Sequence, residues 1–169
     1  LEGTRPILAE VQALTSHSAF TPPRRTTTGI DLGRLAMITA VLSKRLNMHL
    51  GNQDIIVNIP GGLKINEPAA DLGMALAITS SLKDAVIDPN TVIIGEVGLN
   101  GEIRQVAQLE RRIAEAERHG FTRAIVPKLG GQDYLGSTKL TILPVNTLLE
   151  AANYTFSIGW KRSKSFKIS

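Results

Sequence analysis

A chain of 169 residues, 43% of them hydrophobic, is long enough for one domain with a sizeable core. It holds no Cys, which excludes a disulfide framework and thiolate chemistry and fits a reducing compartment such as the cytoplasm; no apolar run reaches the length of a membrane span. The formal charge of +4 comes from 19 basic and 15 acidic residues, but Lys161, Arg162, Lys164 and Lys167 lie in the last ten residues with no acid, so the rest of the chain is neutral and its net charge is weak ground for nucleic-acid binding.

Residues 6–14, PILAEVQAL, predict a strand, followed by a long loop, TSHSAFTPPRRTTTG. Asp31 is placed to cap a helix running to about Met48. Leu35, Ile38, Leu42 and Leu46 recur at helical spacing, and Met37, Ala40 and Val41 widen the apolar face, so this helix should be well buried. Residues 54–60, DIIVNIP, predict a strand closed by Pro60, Gly61 and Gly62. A second helix should run from about Ala69 to Lys83, with Asp71 near the positive end of its dipole.

In TVIIGEVGLNGEIRQV, the Asn100-Gly101 pair between two strand-like runs signals a hairpin. A third helix, about Gln108 to His119, stops at Gly120. RAIVP and LTILPV predict two more strands, and NTLLEAANY a short closing helix. The alternation of strands and helices, with one antiparallel hairpin, predicts a mixed-sheet α/β (mixed α+β) domain over residues 1–154 and a basic, flexible tail over 155–169. A start at Leu1 rather than Met suggests a piece of something longer.

The usual chemical motifs are missing. There is no G-x-x-x-x-G-K-[ST] loop, so this chain alone should not hydrolyse ATP. His17, His49 and His119 are scattered and lack Cys partners, so no metal site is expected. Ser16-His17-Ser18 are too close in sequence for Ser–His chemistry and read as loop. Glu96 and Glu102 flank the hairpin and read as solvated charges.

EGTRPILAEVQAL, RRTTTGIDLGRLAMITAVLSKR, NQDIIVNIPGGLKINEPAADLGMALAITSS, IGEVGLNGEIRQV, RRIAEAERHGF and AIVPK follow one another across residues 2–154. Together they resemble the C-terminal domain of the RadA (Sms) family of bacterial recombination proteins. That domain is similar to the proteolytic domain of Lon proteases. The resemblance implies a fold related to the second domain of a small-subunit ribosomal protein. It also implies an ATPase parent whose ATP, Mg and Zn sites belong to segments outside this chain. Such proteins assemble as rings on DNA and promote branch migration in recombination and repair.

Lon proteases carry a Ser nucleophile in D-G-P-S-A-G and a catalytic Lys in G-G-L-K-E-K. Their counterparts here are NEPAAD and AQLERR, which put Ala69 at the Ser position and Arg112 at the Lys position. A methyl group forms no acyl-enzyme, and Arg stays protonated, so it cannot act as base. Glu67 and Asp71 replace glycines, placing negative charge where an oxyanion would form. The catalytic set is therefore empty, and the expectation is a non-catalytic module.

Two roles remain, a surface for DNA and a scaffold that closes a ring. Lys64, Arg104 and Arg112 would share one face if the fold is Lon-like, and Arg24, Arg25, Lys44 and Arg45 are further candidates for phosphate contact. Arg34 and Arg111 are also basic residues of the body. With two Tyr and one Trp, a base-stacking platform is poorly supplied, so duplex bound through its backbone is the expected partner. The alternatives are a pure oligomerisation domain and a peptidase using Ser80 or Ser81.

Overall fold

The computed structural model describes residues 5–130 and 138–156. The chain opens with β1 (Gln12–His17) and β2 (Arg25–Thr28), then α1 (Leu32–Arg45) and β3 (Gln53–Asn58). These strands form a sheet in the order β1-β3-β2. β3 runs antiparallel to β1 and parallel to β2, with Val57 opposite Ala13 on one side and Thr27 on the other. A parallel pair needs a crossover, and α1 supplies it. Asp31 caps α1 by accepting the Arg34 amide at 3.0 Å. Along β3, Ile55 and Val57 are buried and Ile56 is exposed, the period of two that sets one sheet face on the core.

A short 3-10 turn, Pro68–Ala70, leads into α2 (Asp71–Lys83). Leu72, Met74, Ala75, Leu76, Ile78 and Thr79 are all buried, so α2 is the axis of the larger core, packed by α1, β1 and the closing helix. β4 (Thr91–Ile93) follows, then a two-stranded ribbon, β5 (Glu96–Val97) and β6 (Ile103–Arg104), then α3 (Leu109–Arg118). β7 (Arg123–Pro127), β8 (Thr141–Val145) and α4 (Leu148–Thr155) complete the chain. β4, β7 and β8 form a second, all-parallel sheet in the order β4-β7-β8. Leu109, Ile113 and Ala116 of α3 pack with Val92, Ala124 and Val126 of that sheet in a smaller core, which also takes in Ala69.

The architecture is mixed α/β as expected, and among the described residues the strands form two three-stranded sheets and a ribbon. Several boundaries differ from the sequence reading. The first strand begins at Gln12 rather than Pro6, and it carries Ser16 and His17, which are paired with Asp54 and Gln53. The Thr/Pro/Arg segment read as one loop contains β2, whose threonines alternate between half-buried and exposed. α1 stops at Arg45 because Asn47 turns into the left-handed region (φ 54), and Ala40 is exposed rather than part of the buried face. The boundary expected after residue 154 falls inside α4, which ends at Thr155 and is followed by a buried Phe156. The remainder of the predicted tail, 157–169, lies outside the described residues.

Candidate functional site

The segment 66–71 sits where the two cores meet. Ala69 is buried in the 3-10 turn, its carbonyl accepts the Gly95 amide at 2.9 Å, and the Leu72 amide returns to Gly95 O at 3.0 Å. These two backbone bonds fasten the start of α2 to the connection between β4 and β5.

Four polar side chains surround this turn in two pairs. Arg112, on α3, places Nη2 2.5 Å from Glu67 Oε2 and donates from Nε to Ala107 O at 2.9 Å. Its side chain is only 13% exposed. Arg34, on α1, places Nη1 2.6 Å from Asp71 Oδ1. The Asp71 side chain is 2% exposed, and its Oδ2 accepts the Val97 amide at 3.4 Å. Burial raises the Asp71 pKa, against the opposing pull of the Arg34 charge and the Val97 N–H. The carboxylates of Glu67 and Asp71 are thus each matched by an arginine.

Ser80 and Ser81 have structural partners. Ser80 Oγ donates to Ala85 O at 2.5 Å, near the end of α2. Ser81 Oγ accepts the Thr15 amide at 2.9 Å and so satisfies an N–H of edge strand β1.

The candidate cations are dispersed. Lys64 is exposed on the loop before Glu67, which is anchored by the Ile65 amide to Gly29 O at 2.8 Å, and it makes no ion pair among the described residues. Glu67 ties Arg112 to this same loop. Arg104 is held within its own ribbon, with Nη2 and Nε on Glu102 Oε1 at 2.7 and 3.0 Å and Nη1 3.5 Å from Glu96 Oε1. Arg25 turns inward: its guanidinium donates to Leu50 O at 2.8 Å and to Gln53 O, and burial lowers its pKa against the opposing charge of Asp54. Arg24 lies 3.7 Å over the Phe20 ring. Arg45 donates from Nη2 to Asn100 Oδ1 at 2.8 Å and braces the hairpin turn, while its neighbour Lys44 is exposed. Among the described residues Lys64 and Lys44 make no ion pair and Arg24 only acts on Asp54 from beyond ion-pair distance, whereas Arg104 and Arg112 are paired with carboxylates.

Sequence reading sets Glu115, with Glu110, near Arg111 and Arg112 at helix spacing as solvated ion pairs, and the structure gives Glu115 other partners. It is buried on α3 and receives Arg5, Arg118 and His119. The (i, i+3) and (i, i+4) spacing to Arg118 and His119 is a signal that could have found these two. His17 and His49 lie elsewhere, and among the described residues no group of His, Asp or Glu is gathered as a metal site.

Comparison with known proteins bears on this arrangement. The family model described as subunit ChlI of Mg-chelatase matches residues 35–129, more than half of the chain. The DNA repair protein RadA of Synechocystis sp. is 47% identical over 150 residues, which are 89% of this chain and 29% of that protein. The protein of the same name from Halalkalibacterium halodurans is 44% identical over 157 residues, 92% of this chain and 34% of that protein. That of Bacillus subtilis is 43% identical over 151 residues, 89% of this chain and 33% of that protein. The chain spans about a third of the length of these curated relatives. No helix among the described residues is long and apolar enough to cross a membrane. The chain belongs to the family described as subunit ChlI of Mg-chelatase, and its homologues along nearly its whole length indicate a DNA repair protein family.

Proposed function

We propose that this chain is a non-catalytic, Lon-like module that binds duplex DNA and takes part in ring assembly within a RadA-type, DNA-dependent ATPase of recombination, branch migration and repair. One observation carries the non-catalytic part: the nucleophile position is the buried methyl of Ala69, and the base position is an arginine fixed to Glu67. A protonated guanidinium so placed accepts no proton, and a methyl group does not attack a carbonyl. Lys64, Lys44 and Arg24 are the exposed cations that support contact with phosphates. Such contact is independent of base sequence and weakens steeply with salt. ATP hydrolysis and its metal ions belong, in this reading, to other parts of the full-length protein.

The test has two arms on the same preparation. Incubation with an unfolded protein substrate should give no cleavage, and duplex binding should fall linearly in log affinity against log salt. Cleavage by the wild-type chain would overturn the non-catalytic reading. Salt-independent or absent duplex binding would overturn the DNA reading.

One observation favours a second reading, a scaffold without DNA contact. Leu14 and Ile56 are paired across β1 and β3, and they are 59% and 45% exposed on the outer face of the first sheet. An apolar pair of this kind suits contact with another protein surface. Light scattering across a wide concentration range separates the readings: assembly without duplex binding selects the scaffold.

A further inference from the structure

Two exposed arginines and an exposed histidine converge on one buried carboxylate. Arg5 Nη2 lies 3.3 Å and His119 Nε2 3.2 Å from Glu115 Oε1, and Arg118 Nη1 lies 3.2 Å from Glu115 Oε2. The Glu115 side chain is 8% exposed, whereas those of Arg5, Arg118 and His119 are 69%, 70% and 54% exposed. The carboxylate is therefore shielded from an approaching anion, and the cations face it.

The charges do not cancel. Glu115 balances one arginine, and the second remains in excess. Arg111 stands four residues before Glu115 on the same helix stripe, exposed and in contact with Gln108 Oε1 at 3.5 Å. Glu117, the acid next to Arg118, accepts the Thr138 hydroxyl at 2.8 Å. One cation would suffice to neutralise Glu115 inside the protein. Instead the carboxylate gathers two, which would otherwise repel one another, and leaves further guanidinium N–H donors at the surface.

We propose that Arg5, Arg118 and His119, held together by Glu115, form a phosphate-binding site for the backbone of duplex DNA. The inference rests on the DNA-binding reading given above and adds a site separate from the Ala69 turn. Arg118 lies about 9 Å along the axis of α3 from Arg112, at a rise of about 1.5 Å per residue. The planar fork of arginine suits phosphate oxygens, and the mixed Arg/His set carries no base preference.

The test uses the full chain and duplex DNA. Arg5→Gln with Arg118→Gln keeps hydrogen-bond donors for Glu115 and removes both charges. The variant should lower the slope of log affinity against log salt by about 0.9 for each lost phosphate contact, on every duplex sequence alike. Arg5→Lys with Arg118→Lys should restore the wild-type slope. Arg5→Gln alone, which changes one exposed side chain, gives a reading of one contact if the double variant does not fold. A wild-type slope in a folded Gln variant, with wild-type protein binding duplex normally, overturns this site and leaves the broader reading standing. Failure of the wild-type chain to bind duplex overturns both.

Discussion

Arg112 Nη2 lies 2.5 Å from Glu67 Oε2, so the pair fastens α3 to the loop in front of α2. In the proposed Lon-like frame it joins the lysine position to a glycine position two residues before the nucleophile position, Ala69. A lysine placed at 112 would meet the same carboxylate and stay protonated, because a neighbouring negative charge favours the charged amine. Ala69→Ser is therefore expected to give no cleavage of an unfolded protein, and Ala69→Ser with Arg112→Lys is expected to give none either. Turnover followed by release of labelled peptides checks both. Cleavage by the double variant would show that Glu67 does not hold the amine protonated.

The second pair, Arg34 and Asp71, is more deeply placed. Asp71→Ala strands the Arg34 charge, and it is expected to cost about 3 kcal/mol, at the low end for buried pairs because the Arg34 side chain keeps 23% of its surface. Asp71→Asn isolates a pH effect. The Asp71 pKa is raised by burial, so between the unfolded value, near 3.9, and the higher folded value the native state holds the extra proton. The Asp71 contribution is fully present below the unfolded pKa and is lost as pH rises through the folded one. The stability of the wild type minus that of Asp71→Asn should therefore decline with rising pH across this window. Urea unfolding at a series of pH values measures it, and a rising difference would contradict the raised pKa.

These pairs show where sequence reading stops. α1 is legible because its signals are local: the Asp31 cap and the spacing of Leu35, Ile38 and Leu42 lie within a dozen residues. The Asn100-Gly101 turn is legible for the same reason, and β5 and β6 pair across it. β2 is hidden because Arg25–Thr28 is a polar run beside Pro22 and Pro23, and only its pairing with β3 makes it a strand. The polar pairs are hidden by distance. Arg34 and Asp71 are 37 residues apart, Glu67 and Arg112 45, and Arg5 and Glu115 110, and no short-range period encodes such separations. The identities of Ala69 and Arg112 can be read from the sequence, whereas the ion pairing of Arg34 and Arg112 needs the fold.

Gly29 positions the loop that carries Lys64. Its φ is +81°, its carbonyl accepts the Ile65 amide at 2.8 Å, and a Cβ there would run into Leu63 O and meet Ile59 Cβ at 2.8 Å. Gly29→Ala combines a disfavoured backbone conformation with a clash against backbone, and should cost about 2 kcal/mol or more. Denaturant unfolding gives the loss, and faster hydrogen exchange at Ile65 would locate it. An unchanged midpoint would mean that this loop relaxes without strain.

Lys64 and Arg104 are expected to differ, although sequence reading treats them alike. Lys64 extends from an exposed loop and makes no ion pair among the described residues, so a phosphate can replace its counterion without breaking a protein contact. Arg104 already shares Glu102 and Glu96, and a phosphate would have to displace those carboxylates against their repulsion. Lys64→Ala should therefore lower the salt slope of duplex binding by about 0.9 with little change in thermal midpoint. Arg104→Ala with Glu102→Ala, which removes the pair together, should leave the slope near that of the wild type. Fluorescence anisotropy with two unrelated duplex sequences measures both, and the Lys64 effect should be equal on each because phosphates carry no sequence. A slope lost with Arg104 and Glu102 but kept without Lys64 would place the contact on the ribbon, where the arginine would have to exchange its carboxylates for DNA.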